Sequence, residues 1–277
     1  MKGLLKLFIL ICFGSVFCSC QKEFSNSGNT FVFDPDALLF LNAASITDQA
    51  QMLAVNNLVI QLKKDSLWNK FLAIYPMVGG TDQTTKWNLK DPRDLDAAYR
   101  ITWSGTPDYE TSGVTCTKET DWGDTHLVDS VLSYNNSAIS FYSGTENKIG
   151  GYDMGCGNHS IPYNIMAIYN DYSNDVVNTW FFQYDTTQKL PTSTIGLFIN
   201  SSKNGQVVFY DNGVALSNLG SPTDAYSNIP IKIGKITDDP NMGLKECQLA
   251  TIGQGLTSAD AANFYNITHA FQTALGR

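Results

Sequence analysis

The sequence predicts a mainly β protein, an antiparallel β-sandwich with one helix packed near each end of the chain. Short apolar pieces recur roughly every ten to twenty-five residues, without the regular intervening helices a βαβ fold requires. They are AAYRITW (97–103), SAISFYS (137–143), NIMAIYN (164–170), NTWFFQY (178–184) and TIGLFIN (194–200). Several alternate polar and apolar residues, the signature of a strand with one buried face. The stretch VVFYDNGVALSNL (207–219) adds a hairpin signal, because Asn212-Gly213 supplies the positive-φ pair of a tight primed turn. Its flanks place Val208 and Tyr210 on one face and Val207 and Phe209 on the other.

The helices carry start signals. Asp48 stands as N-cap with Gln51 three residues on, and Met52, Val55, Val59 and Leu62 follow at helical spacing to Lys63-Lys64, over about 48–64. This reads as a packing helix. At the other end Leu256, Thr257 and Asp260 form a staple and capping box. Ala261, Phe264, Ile267, Phe271 and Leu275 then make one apolar stripe over about 258–275. Between the two helices, LWNKFLAIYPMVGGTD is a strand-like run broken at Pro76 and at Gly79-Gly80. IPIKIG (229–234) and CQLATIG (247–253) read as the last strands.

Composition bounds the function. The 277 residues are 43 % apolar and only 16 % charged, with Asn, Ser, Thr, Gly and Tyr filling the gap, as in a folded β-rich chain. A net charge of −8 makes nucleic acid an unsuitable partner.

The N-terminus is a separate object. MKGLLK is basic, LFILICFGSVF is too short to span a bilayer comfortably, and small residues lead to Cys20. This arrangement resembles a bacterial lipoprotein signal. The resemblance implies a signal peptide over 1–19, lipidation of Cys20, a polar tether over 20–34 and a single domain over 35–277. An uncleaved membrane anchor is the alternative. The lipid would hold the mature chain on a membrane, the bacterial outer membrane or cell surface, without a spanning helix. Cys116, Cys156 and Cys247 remain in the body, allowing one bridge with one thiol left over.

FYDNG, IKIG and ATIGQGLTSADAANFYN follow one another as the closing strands and helix do in concanavalin A-like, laminin-G-like (LamG) sandwiches, and the chain resembles that fold group. ATIGQGLTSADAANFYNITHAFQTALGR and LWNKFLAIYPMVGGTDQTTKWNLKDPRDLDAAYRITW are similar to the end blocks of an uncharacterised family common in tailed-phage and bacterial genomes. The resemblance covers roughly residues 35–277. It implies a jelly-roll sandwich but fixes no function, since that fold serves lectins, hydrolases, adhesion modules and virion proteins.

Chemistry finds little support. A sandwich glycosidase needs two facing carboxylates, commonly in a pattern such as Glu-x-Asp-x-x-Glu. Glu110, Glu119, Glu146 and Glu246 are isolated, and DPRDLD (91–96), with Asp94 and Asp96, reads as a solvated loop. His126, His159 and His269 are scattered, with no zinc spacing. Cys156 and His159 lack a third partner, and His269 reads as a packing residue. Calcium is an open cofactor, with oxygens available in DTHLVDS (124–130), YNDYSND (169–175) and DDPN (238–241).

Recognition remains. Trp87, Trp103, Trp122 and Trp180 join Tyr109, Tyr142, Tyr152 and Tyr172 in an aromatic-rich body. Trp122 stands out because TDWGDTH reads as a turn, where a large ring needs cover. Trp122, Asp124, Tyr152 and Asn158 are the expected ligand-binding surface. The expectation is a non-enzymatic, surface-anchored lectin-like module whose partner is a glycan or a cell-surface protein. The alternative is a structural virion or prophage-encoded protein that assembles through its sandwich; a glycoside hydrolase ranks below both.

Overall fold

The computed structural model describes residues 23–26, 29–147, 149–157, 164–171, 176–181, 187–189, 193–218, 220–222, 226–237, 239 and 241–277. Residues 1–33 and 34–277 form two separate units. In the first, where a tether was expected, β1 (Glu23–Asn26) and β2 (Asn29–Val32) pair antiparallel with Asn26 opposite Asn29. Phe, Thr and Val in EFSN and NTFV are good strand formers, which the polar reading of this stretch overlooked.

The second unit begins with α1 (Pro35–Ala43) and α2 (Gln49–Lys64), then β3 (Phe71–Tyr75) and a single turn of helix, α3 (Asp82–Thr85). Short strands follow: β4 (Thr102–Ser104), β5 (Asp108–Tyr109) and β6 (Val114–Thr115). Then come β7 (Trp122–Val128), β8 (Asn136–Ser143), β9 (Tyr152–Cys156), β10 (Met166–Asp171), β11 (Val176–Phe181) and β12 (Thr187–Lys189). The chain closes with β13 (Gly196–Lys203), β14 (Gln206–Asp211), β15 (Val214–Asn218), β16 (Pro230–Ile233), β17 (Cys247–Gly253) and α4 (Ser258–Ala274).

The strands make two antiparallel sheets. The first runs β15-β14-β13-β8-β17-β6-β5, with β3 also paired to β17; the second runs β12-β11-β10-β9-β16-β7-β4. Their inner faces meet in one core. Phe141, Phe198, Phe209 and Ile252 come from the first sheet, and Leu127, Met154, Cys156, Ile168 and Ile231 from the second. Burying each large apolar side chain there stabilises the fold by about 1.5–3 kcal/mol. The architecture is the expected mainly β antiparallel sandwich with packed helices.

The hairpin in VVFYDNGVALSNL forms as read. Asn212 and Gly213 have φ of 49° and 78°, joining β14 to β15, and Val207 and Phe209 point into the core. Asn204-Gly205, with φ of 53° and 77°, makes a second such turn between β13 and β14. AAYRITW is mostly not a strand. Asp96–Ala98 form a 3-10 turn, Tyr99 is left-handed at φ 59°, and β4 begins only at Thr102.

The helices cover one side. Asp48 caps α2 by accepting from the Gln51 N–H, and Val55, Val59 and Leu62 are buried. In α4 the Thr257 hydroxyl accepts from the Asp260 N–H while the Asp260 carboxylate accepts from the Thr257 N–H. Ala261, Phe264, Ile267 and Phe271 are buried as the stripe requires. α4 lies against α2 and on β13 and β15. Phe264 packs on Phe71 with ring centroids 4.8 Å apart, and Tyr142 meets His269 at 3.3 Å. These contacts fall on the outer face of the first sheet. No helix among the described residues is long and apolar enough to cross a membrane.

Candidate functional site

The outer face of the second sheet carries the candidate site, at the end formed by β4, β7 and β16. Burial alternates along β7: Gly123, Thr125 and Leu127 are buried, whereas Trp122, Asp124, His126 and Val128 are half-buried on the opposite side. Trp122 therefore sits on a strand, not in a turn, which corrects the reading of TDWGDTH. β4 adds Thr102 opposite Asp124 and Ser104 opposite Trp122, and β16 adds Lys232 opposite Asp124 from the other side.

The strand is locally irregular. Pro230 pairs with Val128 and Lys232 with Asp124, so β7 fits three residues where β16 has only Ile231. The excess is a bulge, a feature that re-aims side chains. His126 takes it up with φ of 56°, a conformation sparsely used by non-glycine residues. The Asp124 carboxylate accepts the His126 N–H at 2.8 Å and holds that backbone.

The imidazole lies between two carboxylates. Its Nε2 is 2.7 Å from Thr102 Oγ1 and 3.5 Å from Asp96 Oδ1, and its Nδ1 is 3.9 Å from Asp124 Oδ1. Arg100 ties the neighbouring loop, reaching Asp96 at 2.8 Å and Asp94 at 3.3 Å, while Lys86 reaches Asp94 at 3.0 Å. This requires the chain to turn sharply at Tyr99, whose carbonyl accepts from the Tyr75 hydroxyl at 2.6 Å. Burial pushes the Tyr75 phenol well above its usual range, so it remains a donor.

Trp122 is covered by cations. Lys232 Nζ stands 4.4 Å and Lys235 Nζ 5.6 Å from the ring centroid, within cation–π range. Gly234, at φ 90°, makes the reversal after β16 that brings Lys235 back to the ring, where it also donates to the Glu119 carbonyl. A Cβ at Gly234 would stand 2.5 Å from Cys116 Sγ, so the turn has no room for a side chain.

Of the expected binding residues, Trp122 and Asp124 come together. Tyr152 does not join them. It is 2 % exposed, packs edge-on against Tyr169 at 4.7 Å, and belongs to a small cluster with Ile165, Ala167 and Ile236. Burial raises its phenol pKa far above the usual value. Asn158, His159 and Tyr172 lie outside the described residues, as does any statement on the Trp180 ring. The remaining aromatics are engaged elsewhere: Trp103 meets Tyr109 edge-on at 5.8 Å, and the Trp87 N–H donates to the Gln83 carbonyl.

Sequence reading missed His126, Thr102, Asp96, Arg100 and Lys232. Part of the signal was present, because the alternation in WGDTHLV places Trp122, Asp124 and His126 on one face. The union with Asp96 and Lys232 depends on strand pairing.

The three body cysteines are free and buried, so no bridge forms among them. Burial pushes the Cys116 thiol up to about 12 and raises those of Cys156 and Cys247 well above the usual thiol value, which suppresses thiolate chemistry. Among the described residues no group of three or more His, Cys, Asp or Glu could hold a metal ion. In DTHLVDS the Asp129 carboxylate accepts from the Ser227 N–H and hydroxyl and from the Asn228 N–H. YNDYSND and DDPN lie partly outside the described residues.

No protein-family model matches the chain. A search of curated proteins gives no match. Solved structures do share the fold. Trypanosoma rangeli sialidase in complex with sialic acid superposes with a TM-score of 0.54 at 8 % identity, over 73 % of this chain and 34 % of that one. This chain thus spans about a third of the sialidase. Domain 4 of AbnA, a GH43 extracellular arabinanase from Geobacillus stearothermophilus, aligns with a TM-score of 0.44 at 16 % identity, over 70 % of this chain and 98 % of that domain. The CBM40 of Ruminococcus gnavus IT-sialidase gives 0.41 at 13 % identity, over 55 % and 95 %. The sialidase superposition places the chain in the sandwich fold, and at these identities the likeness is one of fold.

Proposed function

We propose that this protein is a non-enzymatic glycan-binding module, held at a bacterial surface by lipid on Cys20, with its site on the outer face of the second sheet. The observation that carries the reading is the position of Trp122. Its half-buried ring lies on the sheet face opposite the helices, flanked by Asp124, His126, Thr102 and Lys232. An aromatic surface beside convergent hydrogen-bonding groups suits the apolar face and hydroxyl rim of a sugar. That a sialidase solved with sialic acid shares the fold makes saccharides the first probes.

The binding reading is preferred to hydrolysis because the two carboxylates that meet at the site, Asp96 and Asp124, both lie against the His126 ring, one at each ring nitrogen. A hydrolase would need that space for the scissile bond and water. Assembly as a virion component has less support. The exposed large apolar residues of the described body, Leu39, Ile60, Leu72, Leu95, Val131, Ile149, Ile195 and Val214, belong to separate elements: helices α1 and α2, strands β3 and β15 of the first sheet, and turns and loops.

The test is a glycan array with purified protein, with calcium and with chelator. Binding is expected to fall at least about tenfold in Trp122→Ala, the loss of one aromatic anchor. Undiminished binding by that variant would place the site elsewhere, and no binding by folded wild type would overturn the reading. Sensitivity to chelator would assign a metal.

A further inference from the structure

We propose that His126 is a pH-sensitive latch: protonation of its imidazole pins the turn around Asp96–Ala98 to β7, and loss of the proton loosens it. The inference goes beyond the glycan-binding reading and does not rest on it. The ring joins two parts of the chain, since Asp96 Oδ1 lies 3.5 Å from Nε2 and Asp124 Oδ1 lies 3.9 Å from Nδ1. A neutral imidazole has one N–H, so it donates toward only one of these carboxylates and turns a lone pair to the other. With that proton on Nδ1, the Thr102 hydroxyl, 2.7 Å from Nε2, becomes the donor and Asp96 is left without one from the ring. An imidazolium donates from both nitrogens and carries a charge that both carboxylates favour.

The surrounding chain builds this bridge. The bulge turns the His126 backbone to φ 56°, and its N–H bond to Asp124 at 2.8 Å fixes where the ring stands. The side chain is 25 % exposed, so the ring exchanges its proton with water while resting against the sheet. Asp94, Asp96 and Arg100 face it from the turn, with Arg100 reaching both carboxylates and Lys86 reaching Asp94. From β16, Lys232 pairs opposite Asp124 and is directed to the Trp122 ring. Tyr75 holds the turn through the Tyr99 carbonyl, and its raised pKa keeps it neutral throughout. Arg100 and Lys86 oppose a further positive charge, but three carboxylates stand in this cluster, and the imidazolium supplies the third cation. Histidine changes charge between about pH 5 and 8. Protonation favours the pinned turn, so the pinning is complete on the acid side of the His126 titration and is lost as pH rises through it.

Two bonds inside the turn report its opening: the Ala98 N–H donates to the Leu95 carbonyl at 3.0 Å and the Tyr99 N–H to the Asp96 carbonyl at 2.8 Å. The experiment follows hydrogen exchange of these amides in the full chain, purified in mild detergent, from about pH 5 to pH 8, corrected for intrinsic exchange. In wild type their protection is expected to fall about threefold across this range, the size of a partly exposed ion pair. His126→Gln, which keeps hydrogen-bonding groups but does not titrate, should make protection independent of pH. His126→Asn is the second variant, because asparagine accepts a positive φ more readily. NMR of histidine-labelled protein gives the titration midpoint of His126, its signal assigned by loss in the variants. Asp96→Asn should lower that midpoint by about half a unit, the same threefold effect read from the ring. Protection that does not change with pH in wild type, a pH dependence that survives either His126 variant, or a midpoint unmoved by Asp96→Asn would overturn the latch. The wild-type exchange and the Asp96→Asn midpoint decide the matter even where a His126 variant does not fold.

Discussion

Asp211 closes β14 beside the hairpin turn, and one of its carboxylate oxygens is buried without a hydrogen-bond partner. Desolvation raises its pKa from 3.8 to about 6. The folded value lies above the unfolded one, so the contribution to stability is fully present below pH 3.8 and is lost as pH rises through about 6. Asp211→Asn is therefore expected to stabilise the fold at pH 7 by about 1 kcal/mol, allowing for solvent screening of a partly exposed group. The advantage should vanish near pH 4. Melting curves at both pH values check this, and a pH-independent gain would point to a cause other than the charge. His126 is the complementary case. Its left-handed backbone is held by Asp124 within the site, where conformational strain is commonly concentrated.

At the level of elements, local chemistry made most of the fold readable. The Thr257–Asp260 box starts α4 at the expected place, and Asn212-Gly213 sets the hairpin. Both signals act through bonds to backbone a few residues away. Removing the cap with Thr257→Ala should cost about 1 kcal/mol, whereas Thr257→Ser should cost little. Urea unfolding of the two variants distinguishes capping from packing, since both remove the same methyl group. The errors came where long-range pairing overrides local pattern. AAYRITW alternates as a strand does, yet its first residues become a 3-10 turn fixed by Tyr75, a residue of β3, and by Arg100 bridging Asp94 and Asp96. TDWGDTH contains turn-forming residues, yet pairing on both sides with β4 and β16 makes it a strand.

For the whole body, the sandwich holds an ion pair in its interior. Lys245 and Asp153 meet at 3.2 Å with both side chains fully buried. Breaking the pair with Lys245→Met leaves a buried carboxylate and should destabilise by about 3–5 kcal/mol, while pairing that change with Asp153→Leu should recover much of the loss. Chemical denaturation of the single and double variants measures the difference. The sequence alone determined the β-rich class, the helix caps, the Asn-Gly turn and the apolar stripe of α4, because each follows from backbone preference and short-range hydrogen bonding. It also singled out Trp122 and Asp124. Only the tertiary structure decided that the long helices cover the first sheet, that Tyr152 is buried, and that His126 joins Asp96 while two lysines from beyond residue 230 cover Trp122. Those meetings depend on which strands pair and which sheet face is covered. Long-range burial sets both, and spacing along the chain does not encode them.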